Sequence, residues 1–305
     1  WPCIYMLHAG SRRGPVRAAL AMCVGSSALG SGALNERSVE TAHSFTGRMC
    51  AASRLEETRR PDSLFSDPLA YTLAGKEGRA QPMGGWIMVP RTRFGDDFLR
   101  DHYTRGARQL VLLGAGFDAR AYRMSGLPEL RVYEVDQMTT FEVKEPLLTG
   151  ESLAVASRAA VATEFTRPGE WAAALLASGF DPAVPTVWLA EGLLMYLSAA
   201  DAADLMKQVG QLSARGSAVF HDAVSAEYLN ARVSVAGAPF IGASDEYVNM
   251  WRSIGGFGSG YAHDFRAIKV DRARRRIDVD RRWPEATAAR CAGQQVVLFV
   301  EVEME

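Results

Sequence analysis

The chain predicts a doubly wound α/β fold with a helical front segment and a lid-like insertion late in the sequence. Three observations carry this. From Gln109 onward, short apolar runs alternate with helical stretches, the pattern of a parallel sheet covered on both faces. The first run, "LVLL" at 110–113, stops at Gly114 and Gly116, a glycine turn at the carboxyl end of a strand. Upstream of it, apolar residues recur at helical spacing.

Taken in order, Ala42, Phe45, Met49, Ala52 and Leu55 form one apolar stripe and predict a helix over Val39–Leu55. In "RRPDSLFSDPLAYTLAG", Asp67 reads as an N-cap, Pro68 as the first helical residue and Gly75 as the stop of a second helix. After a Gly/Pro-rich connection, Phe94, Phe98 and Leu99 mark a third helix that ends near Gly106. Strands follow at Gln109–Gly114, Arg131–Asp136, Thr186–Ala190, Ser217–Asp222 and Gln294–Val302, with another at Ala154–Thr163. Between the Thr186 and Ser217 strands, Ser198 caps a helix lined by Leu205, Val209 and Leu212, and Gly216 ends it. Ser225–Tyr261 shows no period and reads as a lid or insertion above the sheet.

The length of 305 residues allows a sizeable core. Lys plus Arg, at 34, nearly balance Asp plus Glu, at 35, so no charge excess points to nucleic acid or an anionic membrane. A small-molecule or protein substrate is expected instead. Cys3, Cys23, Cys50 and Cys291 are scattered, with no C-x-x-C and no nearby His pair, so neither a metal site nor a disulfide framework is expected. The most apolar stretch, Ala18–Leu34, is broken by Gly and Ser, and a soluble protein is expected. Residues 1–37 carry Arg12, Arg13 and Arg17 and no acid before Glu36. They read either as a targeting segment or as a tail outside a single domain spanning 38–305, in a chain that opens on Trp1 and is open to being a fragment. The expected location is the cytoplasm, or an organelle if the segment is a transit peptide.

Gly114, Gly116 and Ala119 satisfy a dinucleotide fingerprint, and Asp136 lies 20 residues beyond Gly116. An NAD-dependent oxidoreductase is therefore one reading. Against it stands Asp118, a like charge where a pyrophosphate would sit on helix amides, although Asp118 also reads as a cap of the helix that follows. S-adenosylmethionine has no phosphate and carries a sulfonium and an ammonium, which acids attract. Asp136 at one strand end suits ribose hydroxyls, and Glu191 closes the strand "TVWLAEG" at the same edge.

These stretches, "PRTRFGDDFL", "VLLGAGFDARAYR", "YEVDQ", "GFDPAVPTVWLAEGLLMYL" and the upstream "RRPDSLFSDPLA", resemble the leucine carboxyl methyltransferase family, in particular its bacterial-type branch of S-adenosylmethionine-dependent methyltransferases. The resemblance runs from about Ser38 to at least Asp222 and fades after Ser225. It implies a class I methyltransferase, Rossmann-like fold, with S-adenosyl-L-methionine as cofactor and a small molecule or a protein terminus as acceptor. Carried over by position, Arg91, with Arg93 as its neighbour, would bind the methionine carboxylate. Gly114 and Gly116 would admit the methionine moiety, and Asp136 would hold the ribose. Glu164 and Phe165 stand where the family has an Asp-Leu pair near the adenine, and Glu191 matches a Glu near the methyl-donor end. Tyr196 borders the expected acceptor position or belongs to the core. His221, beside Asp222, reads as a base for a hydroxyl acceptor or as a structural histidine. A non-catalytic relative that binds the cofactor without turnover is the third reading, kept open by Glu164, Phe165 and the weak match after Ser225.

Overall fold

The computed structural model describes residues 42–167, 169–279, 291 and 293–305. The segment 1–37 lies outside the described residues. Three helices form the front: α1 (Ala42–Thr58), α2 (Ala70–Ala80) and α3 (Gly85–Thr104). Two of them depart from the sequence expectation. Gly75, at φ +60° and ψ −177°, interrupts α2 as expected, but a second helical stretch follows it directly. Leu69 rather than Asp67 takes the N-cap position, while the Asp67 carboxylate pairs with Arg54 at 2.7 Å. Helix α3 starts at Gly85, inside the stretch expected as a connection, and carries Pro90 in its second turn.

The central sheet is built from β1 (Gln109–Leu113), β2 (Arg131–Asp136), β3 (Ser157–Ala162), β4 (Thr186–Ala190), β5 (Ala218–Val224), β6 (Ser259–Asp264) and β7 (Val297–Glu303). Their spatial order is β3-β2-β1-β4-β5-β7-β6. The pairs among β1 to β5 are parallel, and β7 runs antiparallel to both β5 and β6. This is the class I methyltransferase sheet. Strand order reverses between β1 and β4, and the edge beyond their carboxyl ends is where α/β sheets take ligands.

Helices cover both faces: α4 (Arg120–Arg123), α5 (Met138–Leu147), α6 (Glu170–Ala177), α7 (Ala199–Gln211), α8 (Glu227–Asn230) and α9 (Tyr247–Ser253). Alternation along β1 divides the core, with Val111 and Leu113 on one side among Trp171, Trp188 and Trp251. Leu110 and Leu112 face the other, against Phe94, Phe98, Phe220 and Phe299. Helix α3 thereby becomes part of the second layer. As expected, the Ser198 hydroxyl caps α7 by accepting the Asp201 N–H.

The segment Ser225–Tyr261 is not wholly an insertion. Its second half is α9, with Tyr247, Val248 and Trp251 buried, leading into β6 as an ordinary crossover. Its first half lies on the 3-10 turn Leu194–Tyr196, where Ile241 and Gly242 donate to the Met195 carbonyl at 2.9 and 3.0 Å and Phe240 meets the Tyr196 ring edge-on. A two-stranded ribbon, Ile268–Asp271 with Arg276–Val279, separates β6 from β7. Among the described residues no helix is long and apolar enough to cross a membrane.

Candidate cofactor site at the carboxyl edge of the sheet

Gly114 and Gly116 leave β1 at φ +68° and +47°, conformations that favour glycine. A Cβ at Gly114 would also lie 3.2 Å from Leu193 Cδ1. The Gly116 N–H donates to Asp136 Oδ2 at 2.7 Å, while Asp136 Oδ1 accepts from the Gln137 N–H at 2.7 Å and from Thr140 Oγ1 at 2.8 Å. Asp136 therefore braces the glycine loop and the start of α5 while remaining half-buried at this edge. Burial raises its pKa, and these three hydrogen bonds oppose the rise.

Asp118 takes the local of its two expected roles. Its Oδ1 accepts the N–H of Arg120, the first residue of α4, at 2.7 Å and its Oδ2 accepts Arg120 Nη1 at 2.5 Å. It thus braces the start of α4, whose N-cap position is Ala119, and pairs with the arginine two residues on. Burial pushes its pKa up, but Arg120, Arg123 and Arg54 outweigh that and bring it to about 2. Its charge is answered within the loop, and no free acid projects toward a ligand from this position.

The acid that does meet this edge belongs to a buried ionic lattice. Arg91, on α3, donates from Nη1 to Asp222 Oδ2 at 2.7 Å and from Nη2 to Cys50 Sγ at 3.8 Å. Its Nε lies 3.3 Å from Glu191 Oε2. Glu191 Oε1 lies 2.7 Å from Arg120 Nη2, and Arg120 Nε donates to Asp96 at 2.9 Å. Asp96 in turn accepts twice from Arg123, at 2.6 and 2.8 Å. Acid and base alternate along this chain. With Asp118, four carboxylates (Asp96, Asp118, Glu191, Asp222) face three guanidiniums (Arg91, Arg120, Arg123), an excess of one negative charge. Burial would lower the Arg91 pKa, but Asp222, Cys50 and Glu191 reverse this and raise it. Burial raises that of Glu191 against both arginines.

Two glycines make the lattice possible. A Cβ at Gly95 would fall 2.6 Å from Glu191 Oε1 and 2.8 Å from Arg120 Nη2. Gly192, at φ +72°, comes so near Arg91 that a Cβ would lie 3.2 Å from Nη1, and its N–H donates to Asp222 Oδ1 at 2.5 Å. Within the lattice, Arg91 Nε and Glu191 Oε1 are buried and in ion-pair contact, yet neither has an aligned hydrogen-bond partner. Arg91 Nε faces Glu191 Oε2 and Glu191 Oε1 faces Arg120 Nη2, so a guanidinium able to take a carboxylate and a carboxylate able to take an ammonium stand next to each other.

The remaining predicted residues divide. Arg93 is held away from Arg91, donating to Asp97 at 2.8 Å and to the Leu64 carbonyl at 2.7 Å, because two helical positions turn it about 200° around α3. Glu164 accepts from Gln137 Nε2 at 3.1 Å beyond the end of β3. Phe165 packs against the core with its ring 6.1 Å from Trp171. Tyr196 is half-buried; burial raises its pKa, and Cys50, Arg91 and Asp222 act on it electrostatically, which puts it on the lattice's border.

His221 is not placed to act as a base. It is fully buried, its Nε2 accepts the Trp251 indole N–H at 2.9 Å, and its Nδ1 lies 3.3 Å from the Asp222 carbonyl. Burial lowers its pKa to about 4, against the influence of Asp222. Alternation along β5 puts it on one face and Asp222 on the other. Sequence reasoning missed Asp96, Arg120, Arg123 and Cys50 as members of the site and gave Asp222 no role of its own. The available signal was the second arginine in "DARAYR", which has no obvious exposed place beside a strand end. No group of three or more His, Cys, Asp or Glu side chains among the described residues is arranged to hold a metal ion.

A family model and the names of similar proteins give the class as S-adenosyl-L-methionine-dependent methyltransferase, on a class I fold. Residues 48–210, just over half of the chain, match the family model described as leucine carboxyl methyltransferase, and the chain belongs to that family. A relative from Saccharopolyspora erythraea, named "Putative S-adenosyl-L-methionine-dependent methyltransferase", is 37% identical over 195 residues, 59% of this chain and 67% of its own. One of the same name from Mycolicibacterium vanbaalenii is 38% identical over 62% of this chain and 70% of its own, and one from Parafrankia is 39% identical over 60% of this chain and 65% of its own. The chain thus spans about two thirds of the length of these relatives. Among solved structures, a DUF574 family protein from Streptomyces avermitilis superposes with a TM-score of 0.52 at 13% identity, covering 84% of this chain and 97% of its own, a likeness of fold.

Proposed function

We propose that the protein moves the methyl group of S-adenosyl-L-methionine to an oxygen of a small-molecule or protein-terminus acceptor, by in-line displacement and with a carboxylate as the best-suited nucleophile. The observation that carries the reading is the Arg91–Glu191 pair, buried in a lattice with one negative charge in excess and each with an atom lacking an aligned partner. That excess complements a cofactor whose two positive groups outnumber its one carboxylate. In this reading Arg91 binds the carboxylate, Glu191 the ammonium and Asp136 the ribose, with Gly114 and Gly116 admitting the chain between them. Glu164 and Phe165 border the adenine end, and Asp118 serves the loop through Arg120.

When bound, the cofactor supplies an electrophilic methyl on sulfur. What remains for the chain is to align the nucleophile and exclude water. Tyr196 and Cys50, beside Arg91, are both kept protonated by burial. With His221 held by Trp251, a hydroxyl acceptor loses its candidate base, whereas a carboxylate needs none. The dinucleotide reading is weaker on a specific ground: the α4 amide that would meet a pyrophosphate already donates to Asp118.

Calorimetric titration with S-adenosylhomocysteine tests the cofactor. Saturable binding that disappears in Arg91→Ala is expected; wild-type protein that ignores S-adenosylhomocysteine but alters reduced-nicotinamide fluorescence would overturn the reading. Labelled methyl transferred to an acceptor panel should then be released by mild alkali, as an ester is and an ether is not.

A further inference from the structure

We infer that Asp222 is the positioning residue that sets Arg91 for the methionine carboxylate and locks it to the loop carrying Glu191, an inference that rests on the methyl-donor reading above. Asp222 is 1% exposed, and its two oxygens serve two different elements. Oδ2 takes Arg91 Nη1 from α3, and Oδ1 takes the Gly192 N–H from the turn after β4. Arginine has a long side chain with many rotamers, and a ligand that had to freeze it would bind more weakly. Asp222 freezes it in advance. Asp222 takes one N–H of Nη1 and Cys50 one of Nη2, while Nε, 3.3 Å from Glu191 Oε2, makes no aligned hydrogen bond, so the planar fork keeps donors for a carboxylate.

The surroundings leave Asp222 little freedom of its own. Gly192 at φ +72° turns its N–H inward, and its missing side chain admits the guanidinium. On the opposite face of β5, His221 is anchored to Trp251 of α9, which fixes the strand at the residue before. The adjacent His and Asp thus divide the work, one holding the strand and the other holding the arginine.

The test compares two ligands that share nucleoside and sulfur: S-adenosylhomocysteine and 5′-methylthioadenosine, which lacks the amino-acid end. Asp222→Asn keeps an acceptor for Gly192 but loses the charged bond to Arg91. Calorimetry should show S-adenosylhomocysteine binding weakened about tenfold to a hundredfold and 5′-methylthioadenosine binding unchanged. Equal loss of both ligands would show a merely structural residue and overturn the inference, as would unchanged affinity for S-adenosylhomocysteine. If Asp222→Asn does not fold, Arg91→Gln/Asp222→Asn replaces both partners by amides that can bond to each other. It should match Arg91→Gln in affinity for S-adenosylhomocysteine and wild type in affinity for 5′-methylthioadenosine; loss of both ligands in it again counts against Asp222. Wild-type protein that binds neither ligand removes the methyl-donor reading, a failure distinct from that of Asp222.

Discussion

Asp118 is committed to Arg120 through both carboxylate oxygens, and this changes what the glycine motif means. The sequence shows an acid beside a phosphate-type turn; the structure shows a carboxylate bonded to the first amide of α4 and answered by an arginine. Gly114, Gly116, Asp136 and Glu191 are each marked in the sequence by a strand end or a turn, whereas Arg91 is marked only by the resemblance of "PRTRF" to the family. The ion pair that joins Arg91 to Glu191 is written in neither stretch. Asp222 was less legible because the arginine that gives it a role lies 131 residues away, and Asp96 and Arg120 pair across 24 residues between separate elements. His221 has a signature of another kind. With a pKa lowered from 6.5 to about 4, it binds fewer protons folded than unfolded, so stability falls as pH drops below the unfolded value. Urea unfolding at pH 7 and pH 5 should differ by about 2 kcal/mol from this residue, and His221→Gln should remove that part of the pH dependence. If the midpoint is as pH-dependent in the variant as in wild type, the buried neutral histidine is not its source. A pH–rate profile unchanged by the substitution would fit a residue outside the chemistry.

At the scale of elements, strands with apolar runs were visible and β6 was not. "SGYAHD" has no such run, since its side chains pack among aromatic and charged neighbours, His263 against Glu301 for one. The expected insertion therefore swallowed a crossover helix and the start of a strand. Helix α3 was read too short for a related reason: Pro90 and the glycines at 84 and 85 suggest a break that the buried face, from Met88 to Leu99, overrides. The same helix offers a separation of stability from function. Gly95→Ala should favour the helix by up to about 1 kcal/mol, yet its Cβ would press on Glu191 Oε1 and Arg120 Nη2. Arg120 is held by hydrogen bonds to Asp96 and Asp118, whereas Glu191 Oε1 makes no aligned hydrogen bond, so the lattice yields at Glu191. The expected outcome is S-adenosylhomocysteine affinity lowered about tenfold or more, with a melting temperature near that of wild type; unchanged binding would show that the lattice yields elsewhere. Arg120→Met, in contrast, takes the paired arginine from Asp118 and one of two arginine partners from each of Asp96 and Glu191, and should cost about 3–5 kcal/mol in urea unfolding.

Across the whole domain, the site lies on a seam between the front helices and the sheet, and both sides own parts of it. Arg54 of α1 pairs with Asp67 and donates from Nη2 to the Phe117 carbonyl at 2.6 Å, gripping the glycine loop from the front. Phe117 itself is buried beneath α1, so close that a Cβ at Gly47 would lie 2.7 Å from its ring. Arg91–Asp222 and Asp96–Arg120 cross the same seam. A ligand seated there contacts both sides at once, and so must stabilise them together. At a hundred times its dissociation constant, S-adenosylhomocysteine should add about 2.7 kcal/mol. Hydrogen exchange should report that gain alike for amides of α1, α3, β1 and β4, because opening either side releases the ligand. Arg54→Ala should break this parity: with the loop ungripped, α1 should exchange faster and gain less protection from the ligand than β1 does. If the wild-type front helices gained nothing on binding while the sheet did, the seam would not be where the cofactor is held, and Arg91 would lose its role along with it.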